Sequence, residues 1–425
     1  MSPVGGPPAL DEFRTPRPIA GWRVVAAAFW MAVFAWGLGF YSLSLYVHRL
    51  GEAGWSGTLL SAATTGYFLL GAAAIQVVER AAAAVGRRRV ALVGVLLLAG
   101  GVAALPRVGH PAALLVAYAA MALGWAATSG TAVSHLIGQW FEQRRGLALN
   151  LALTGASASG FLVIPPMAWA VAHWGAADGL AAVAVLMAVA TVAVIAANLP
   201  EPHARKAGAS GASGGGGAVD AVRAVDPDGS IGTNDTTDRL SARRPAEPLT
   251  RVTALFAIGW LAQVAFLSQQ MPLLVPKVGV AAATAAVAAT TAASLVGRLL
   301  LSTVIDRIDH RRATAASYAV QAAGMALLLV SDAPGAVLLG CCLFGLSVGN
   351  VITLPAIFAQ REFAAARYGA VVNRVWTVGQ TLFALGPIGA GTLLAATGSP
   401  AWTIAACGAA QLVAAGLCWG RRGRV

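Results

Sequence analysis

QWFEQRRGLALN, residues 139–150, and QREFAAARYGAVVN, residues 360–373, carry one signal twice: Gly146 recurs as Gly369, and Asn150 as Asn373, both 223 positions later. Arg88 and Arg89 repeat as Arg311 and Arg312 at the same offset of 223. Glu79-Arg80 answers Asp306-Arg307 once four extra residues, Ala81 to Ala84, are allowed in the first copy. A single offset shared by separate motifs marks a duplicated unit.

Outward from these motifs the chain is almost wholly apolar. Of its 425 residues 58% are hydrophobic and 11% charged, with a mean hydropathy of +0.72, which excludes a soluble domain. Apolar segments of spanning length, about 20 residues, fall near 24–47, 57–78, 90–105, 112–136, 146–171 and 178–198. A second set falls near 252–275, 280–304, 314–331, 335–358, 369–395 and 401–420. The sequence thus predicts an all-α membrane protein whose twelve transmembrane helices form two six-helix bundles related by pseudo-twofold symmetry. The expected organisation is an N-terminal tail over 1–21, a bundle over 22–198, a linker over 199–250, a bundle over 251–420 and a tail over 421–425. The linker contains AGASGASGGGG, has no hydrophobic periodicity and reads as a flexible tether.

Charge sets the orientation. With both termini inside, the inside segments hold 24 of the 29 Lys and Arg residues, and the outside loops hold only Arg49, Arg107 and Lys277. Positive charge resists translocation, so both termini are expected to be cytoplasmic, with the protein multi-pass in the cytoplasmic (inner) membrane. The net charge of +12 does not imply nucleic acid, because the basic residues are scattered in short clusters between apolar runs. The first 20 residues hold five prolines and no apolar core, so no cleavable signal peptide is expected. Cys341, Cys342, Cys407 and Cys418 sit in apolar runs without metal-ligand spacing and read as packing residues. No nucleophile–base pair, phosphate loop or metal cluster is apparent, so neither an enzyme nor a cofactor is expected.

Arg298 stands inside an apolar run, eight residues before Asp306. If the basic cluster from Asp306 to Arg312 ends a helix, Arg298 lies about 12 Å within it. A cation at that depth is costly and usually functional, and its simplest use is to hold an anion. All 17 Asp and Glu residues fall in predicted loops, tails or helix ends, which argues against a carrier of organic cations. Tyr41, Ser129, Gln263 and Asn350 are further polar candidates for contacting a solute, each with helix–helix hydrogen bonding as the plainer reading. His135 is the one histidine expected inside a helix, near a helix end, and is a candidate for proton coupling as well as for a solvated cap.

Glu79-Arg80 with Gly86-Arg87-Arg88, and Asp306-Arg307 with Arg311-Arg312, resemble the loop signature of the major facilitator superfamily, and the resemblance covers nearly the whole chain. It implies a secondary transporter working by alternating access, in which Glu79, Arg80, Asp306, Arg307 and Arg311 gate the cytoplasmic face. The first copy departs from the pattern, with Glu in place of Asp and a longer loop. Trp140-Phe141-Glu142-Gln143-Arg144-Arg145-Gly146-Leu147-Ala148, continuing through Ala152, Gly155 and Gly160, is similar to the fifth-helix signature of the monocarboxylate porters and oxalate/formate antiporters, and adds Arg144 and Arg145 to the gating set. That narrower resemblance implies a carboxylate substrate held by Arg298. The position of a second cation in the antiporters corresponds to Gly379, and Arg374 lies close enough to its helix start to snorkel, so one deep cation points to a monoanion. The expected function is carriage of a small organic anion, a monocarboxylate above all, with proton coupling an open feature. Efflux of a neutral or amphipathic compound is one alternative, and a non-transporting membrane sensor on a transporter fold is another. The expected partners are the carboxylate and the lipid bilayer, with the chain a monomer.

Overall fold

The computed structural model describes residues 18–141, 145–199, 249–304, 307–363 and 367–419. Residues 1–17 of the expected N-terminal tail, the whole C-terminal tail, nearly all of the expected linker, Arg144, the Arg145 side chain and Asp306 lie outside the described residues.

Among the described residues nine helices are long and apolar enough to cross a membrane. The first crossing joins α1 (Pro18–Trp36), a π-helical turn (Gly37–Tyr41) and α2 (Leu43–Glu52). α3 (Gly57–Val85) and α4 (Arg87–Ala104) are the second and third, and α5 (Pro111–Thr128) with α6 (Gly130–Gly138) is the fourth. α7 (Arg145–Asn198) has 54 residues and α8 (Leu249–Val304) has 56. A straight helix of that size would run about 80 Å, far beyond a hydrocarbon layer of roughly 30 Å. Each is instead folded into two crossings at one glycine, Gly175 (φ 80°, ψ 167°) and Gly279 (φ 77°, ψ 169°), in a conformation that side chains disfavour. The second bundle continues with α9 (His310–Val330), α10 (Pro334–Val348) with α11 (Leu354–Glu362), α12 (Tyr368–Thr397) and α13 (Pro400–Cys418).

Local chemistry fixes these ends. Proline opens α5, α10 and α13, where its missing N–H is no loss. His110, Asp309 and Ser399 accept hydrogen bonds from the first backbone amides of α5, α9 and α13. Each bundle also ties its first helix to its last. Arg23 donates to Asn198 Oδ1 (3.3 Å) and to the Ala197 carbonyl (3.0 Å), and Arg251 Nε donates to the Leu417 carbonyl (2.8 Å). These guanidinium groups satisfy carbonyls at helix C-termini, where positive charge is favoured.

Three crossings expected to be continuous are broken: the first at the π turn 37–41, the fourth at Ser129, and the tenth at the turn over 349–353. Side chains take up the carbonyls freed there. Tyr46 Oη donates to Leu38 O (3.0 Å), Tyr67 Oη to Gly39 O (2.6 Å) and Trp260 Nε1 to Val351 O (3.3 Å). Hydropathy averaged over a spanning window cannot see such breaks, because the one or two polar residues in each are outweighed by apolar neighbours.

The two bundles meet where α12 packs on α3, and where α8 packs on α2 and α7. Ser61 Oγ accepts from Gln269 Nε2 (2.8 Å) across this seam, and Thr65 Oγ1 accepts from the Ile388 amide (3.1 Å). Both bonds lie toward the face opposite the described chain ends. At the basic face α6 packs on α1, α5 and α7, and α11 on α8, α9 and α12, each within its own bundle.

Candidate substrate-binding site

Arg298 lies six residues before the end of α8, about 9 Å along the axis. Small residues bring α8 and α10 together around it. A Cβ at Gly297 would meet Leu346 O at 1.7 Å, and one at Gly345 would meet Thr290 O at 2.2 Å. The guanidinium lies against Gly349, where an added Cβ would stand 3.0 Å from Arg298 Nε and 3.1 Å from Ser294 Oγ. From the other bundle Tyr41 brings its hydroxyl toward Ser294 and the Arg298 guanidinium. Two of the sequence candidates, Arg298 and Tyr41, are therefore near each other across the interface between the halves.

Polar atoms at this place are left unsatisfied. Arg298 Nε, Ser294 Oγ and Asn350 Oδ1 are buried without a hydrogen-bond partner, while Asn350 Nδ2 donates to Leu346 O (3.1 Å). Among the described residues no carboxylate lies within ion-pair reach of Arg298. A buried donor without a partner costs about 1–3 kcal/mol, and more when charged. Native proteins rarely carry several such groups in one place. An anion held by the guanidinium would remove the largest of these costs.

Beside this polar spot lies a wall of rings. Phe40 packs edge-on to Tyr41 at 5.0 Å, is nearly parallel to Phe383 at 6.1 Å and to Trp125 at 6.3 Å, and meets Phe68 at 5.9 Å. Trp36 adds a contact to Trp125 at 5.0 Å. Phe383 belongs to the second bundle and the others to the first. Sequence reasoning missed this wall because its members are scattered over four crossings, and each alone reads as ordinary core.

The remaining candidates sit elsewhere. Ser129 is buried in the break of the fourth crossing, next to Gly130, against which Trp36 packs. Gln263 accepts from Gln321 Nε2 (3.5 Å) inside the second bundle, so its side chain is committed to α9 and not to Arg298. Gly379 lies under Trp260, whose ring would stand 2.5 Å from a Cβ, leaving no room there for a cationic side chain.

At the basic end two ionic clusters form around the gating candidates. Glu79 is gripped by Arg87 through two bonds (3.3 and 2.8 Å), while Arg80 is exposed. His135 Nδ1 stands 3.9 Å from Glu79 Oε2, placing it in this cluster and far along the chain from the Arg298 site. Arg311 binds Glu362 through Nε (2.5 Å) and Nη2 (2.8 Å), and His310 Nε2 adds a contact at 2.7 Å. Arg307 is exposed. Glu362 was not singled out from the sequence; its place on the repeated stretch was a signal, but its partner was not. Burial pushes the Glu362 carboxyl up, yet hydrogen bonds and charge from His310 and Arg311 outweigh it and hold it below its ordinary value.

The family model of the Major Facilitator Superfamily matches residues 25–387. No curated protein matches the sequence. Solved structures with the same fold include a point mutant of the peptide transporter POT, with a TM-score of 0.65 at 17% identity over 95% of this chain and 94% of that one. A D-xylose–proton symporter gives a TM-score of 0.65 at 13% identity, covering 95% and 98%. A bacterial homolog of the human lysosomal transporter Spinster, inward-facing and unoccupied, gives 0.62 at 12% identity, covering 95% of each chain.

Proposed function

Because this chain belongs to the major facilitator superfamily, and so is a membrane transporter, we propose that it carries a small organic monoanion, most simply a monocarboxylate, by alternating access. The observation that carries this reading is Arg298, a half-buried guanidinium whose buried Nε is unpartnered, with no carboxylate beside it among the described residues. Its planar fork suits a carboxylate, to which it donates two parallel hydrogen bonds. Tyr41 reaches the same anion from the opposite bundle, so the ligand touches both halves and couples its occupancy to their movement. Ser294 and Asn350 offer the remaining polar contacts, with Ser129 near the aromatic edge.

The basic face is taken as cytoplasmic, since it holds most of the Lys and Arg residues. The bonds between halves then lie on the outer side, and the arrangement is closed outward. Glu79–Arg87 and Glu362–Arg311 act as gate clusters, each formed within its own bundle in this state. His135 belongs to the first gate. A carboxylate that crosses together with a proton needs no protein acid near Arg298. The peptide and xylose named for the structural neighbours belong to those proteins; at 12–17% identity the likeness conveys the fold alone.

The aromatic wall favours a second reading, in which an amphipathic or neutral compound is moved and Arg298 is structural. Proteoliposome uptake of a panel of labelled monocarboxylates separates the two. The expected result is uptake that falls at least tenfold in Arg298→Ala. Uptake that persists unchanged in that variant removes Arg298 from substrate binding.

A further inference from the structure

The monocarboxylate reading above is the footing for one step more. Three features of the site concern the part of the ligand that is not the carboxylate. The rings of Trp36, Phe40, Trp125 and Phe383 are all partly exposed, so the wall they form is not sealed by its own packing. Phe40 and Phe383 come from different bundles, yet lie within 15° of parallel. Tyr41 lies between the two regions, close to Ser294 and Arg298 on one side and packed edge-on against Phe40 on the other.

A binding site must match both ends of its ligand. Formate or acetate would occupy the guanidinium and leave this wall against water. The Phe40–Phe383 contact also has to part when the halves separate on this side, which exposes apolar ring surface at a cost proportional to area. A ligand with its own flat apolar group, seated next to the anion site, would replace the lost contact. A short hydrophilic acid could not.

We propose that the transported anion is an aryl monocarboxylate, its carboxylate on Arg298 and Tyr41 and its ring against Phe40, Trp125 and Phe383. The filled position at Gly379, capped by Trp260, excludes a second cation there and so disfavours a dicarboxylate. Offset or edge-on contact with these rings sets the orientation of the aryl group. The order of preference follows: aryl acids above short-chain acids, and both above neutral aryl compounds.

The test uses the full-length protein, purified for thermal shift and reconstituted for uptake, with phenylacetate, acetate and phenethyl alcohol as probes. Phenylacetate is expected to bind at least about tenfold more tightly than acetate, since burying one ring is worth that much or more. Phenethyl alcohol, with the ring but no charge, is expected to bind far more weakly. The pair Phe40→Leu and Phe383→Leu, made separately, should reduce the phenylacetate preference while leaving acetate binding dependent on Arg298. Equal affinity for acetate and phenylacetate, both lost in Arg298→Gln, overturns the aryl assignment and leaves the monocarboxylate reading standing. Binding of phenethyl alcohol as tight as phenylacetate, unaffected by Arg298→Gln, overturns both. A ring preference that survives in both Leu variants, each folded as judged by its melting curve, also overturns the aryl assignment.

Discussion

At the scale of single residues, two side chains divide the work of holding charge. Among the described residues Arg298 Nε has no partner, and Glu362 is triply engaged. Arg298→Lys keeps the cation and loses the fork, so uptake should drop about tenfold with protein yield unchanged; uptake at the wild-type rate would show that the fork is not used. Tyr41→Phe removes one hydroxyl and should weaken apparent affinity only several-fold, about 1 kcal/mol. Glu362 has an ordinary value of 4.5 and titrates below it in the fold. Its stabilisation is therefore complete above that ordinary value and is lost as pH falls through the depressed one. Glu362→Gln should melt several degrees lower than the wild type at pH 7, and the gap should narrow as pH falls below that ordinary value and through the depressed one. A constant gap across that range would assign the effect to packing. Arg298 was legible in the sequence because a charge in an apolar run stands out. Glu362 was not, since a helix-end acid is visible while the cation it grips depends on how α9 and α11 pack.

At the scale of elements, breaks in the helices matter more than the helices. Tyr41 ends the π turn of the first crossing, Ser129 sits in the break of the fourth, and Asn350 sits in the turn of the tenth. Irregular backbone inside a membrane is tolerated only where protein or a cavity surrounds it, and carriers build their sites there. The apolar segments predicted the crossings and their order, but a 3.6-residue pattern carries no mark of a single skipped bond. The paired helices α8 and α10 offer a direct test. Gly297→Ala places a methyl group 1.7 Å from Leu346 O and must push the helices apart, next to Arg298. It should cost about 1–3 kcal/mol and lower uptake. Gly416→Ala on α13 meets nothing within 4 Å and should change neither. Equal melting temperatures for the two variants would contradict the close approach.

At the scale of the whole molecule, the duplicated motifs imply two like halves, and the charge distribution implies which ends share a face. The seam between the halves was not foretold. Ser61 and Gln269 are 208 positions apart and neither is unusual in its own helix. With the four native cysteines replaced, Ser61→Cys combined with Gln269→Cys should form a crosslink on oxidation and stop uptake, and reductant should restore it. Undiminished uptake by the fully crosslinked protein would mean that the seam need not open.

The clasps at Arg23 and Arg251 carry a consequence for how the polypeptide tolerates cutting. Since each six-helix unit fastens its own beginning to its own end, its integrity does not depend on the peptide that joins it to the other. Two fragments severed between 200 and 248 and expressed together should find each other in the bilayer and regain transport, whereas Arg23→Ala or Arg251→Ala should weaken a severed carrier more than an intact one.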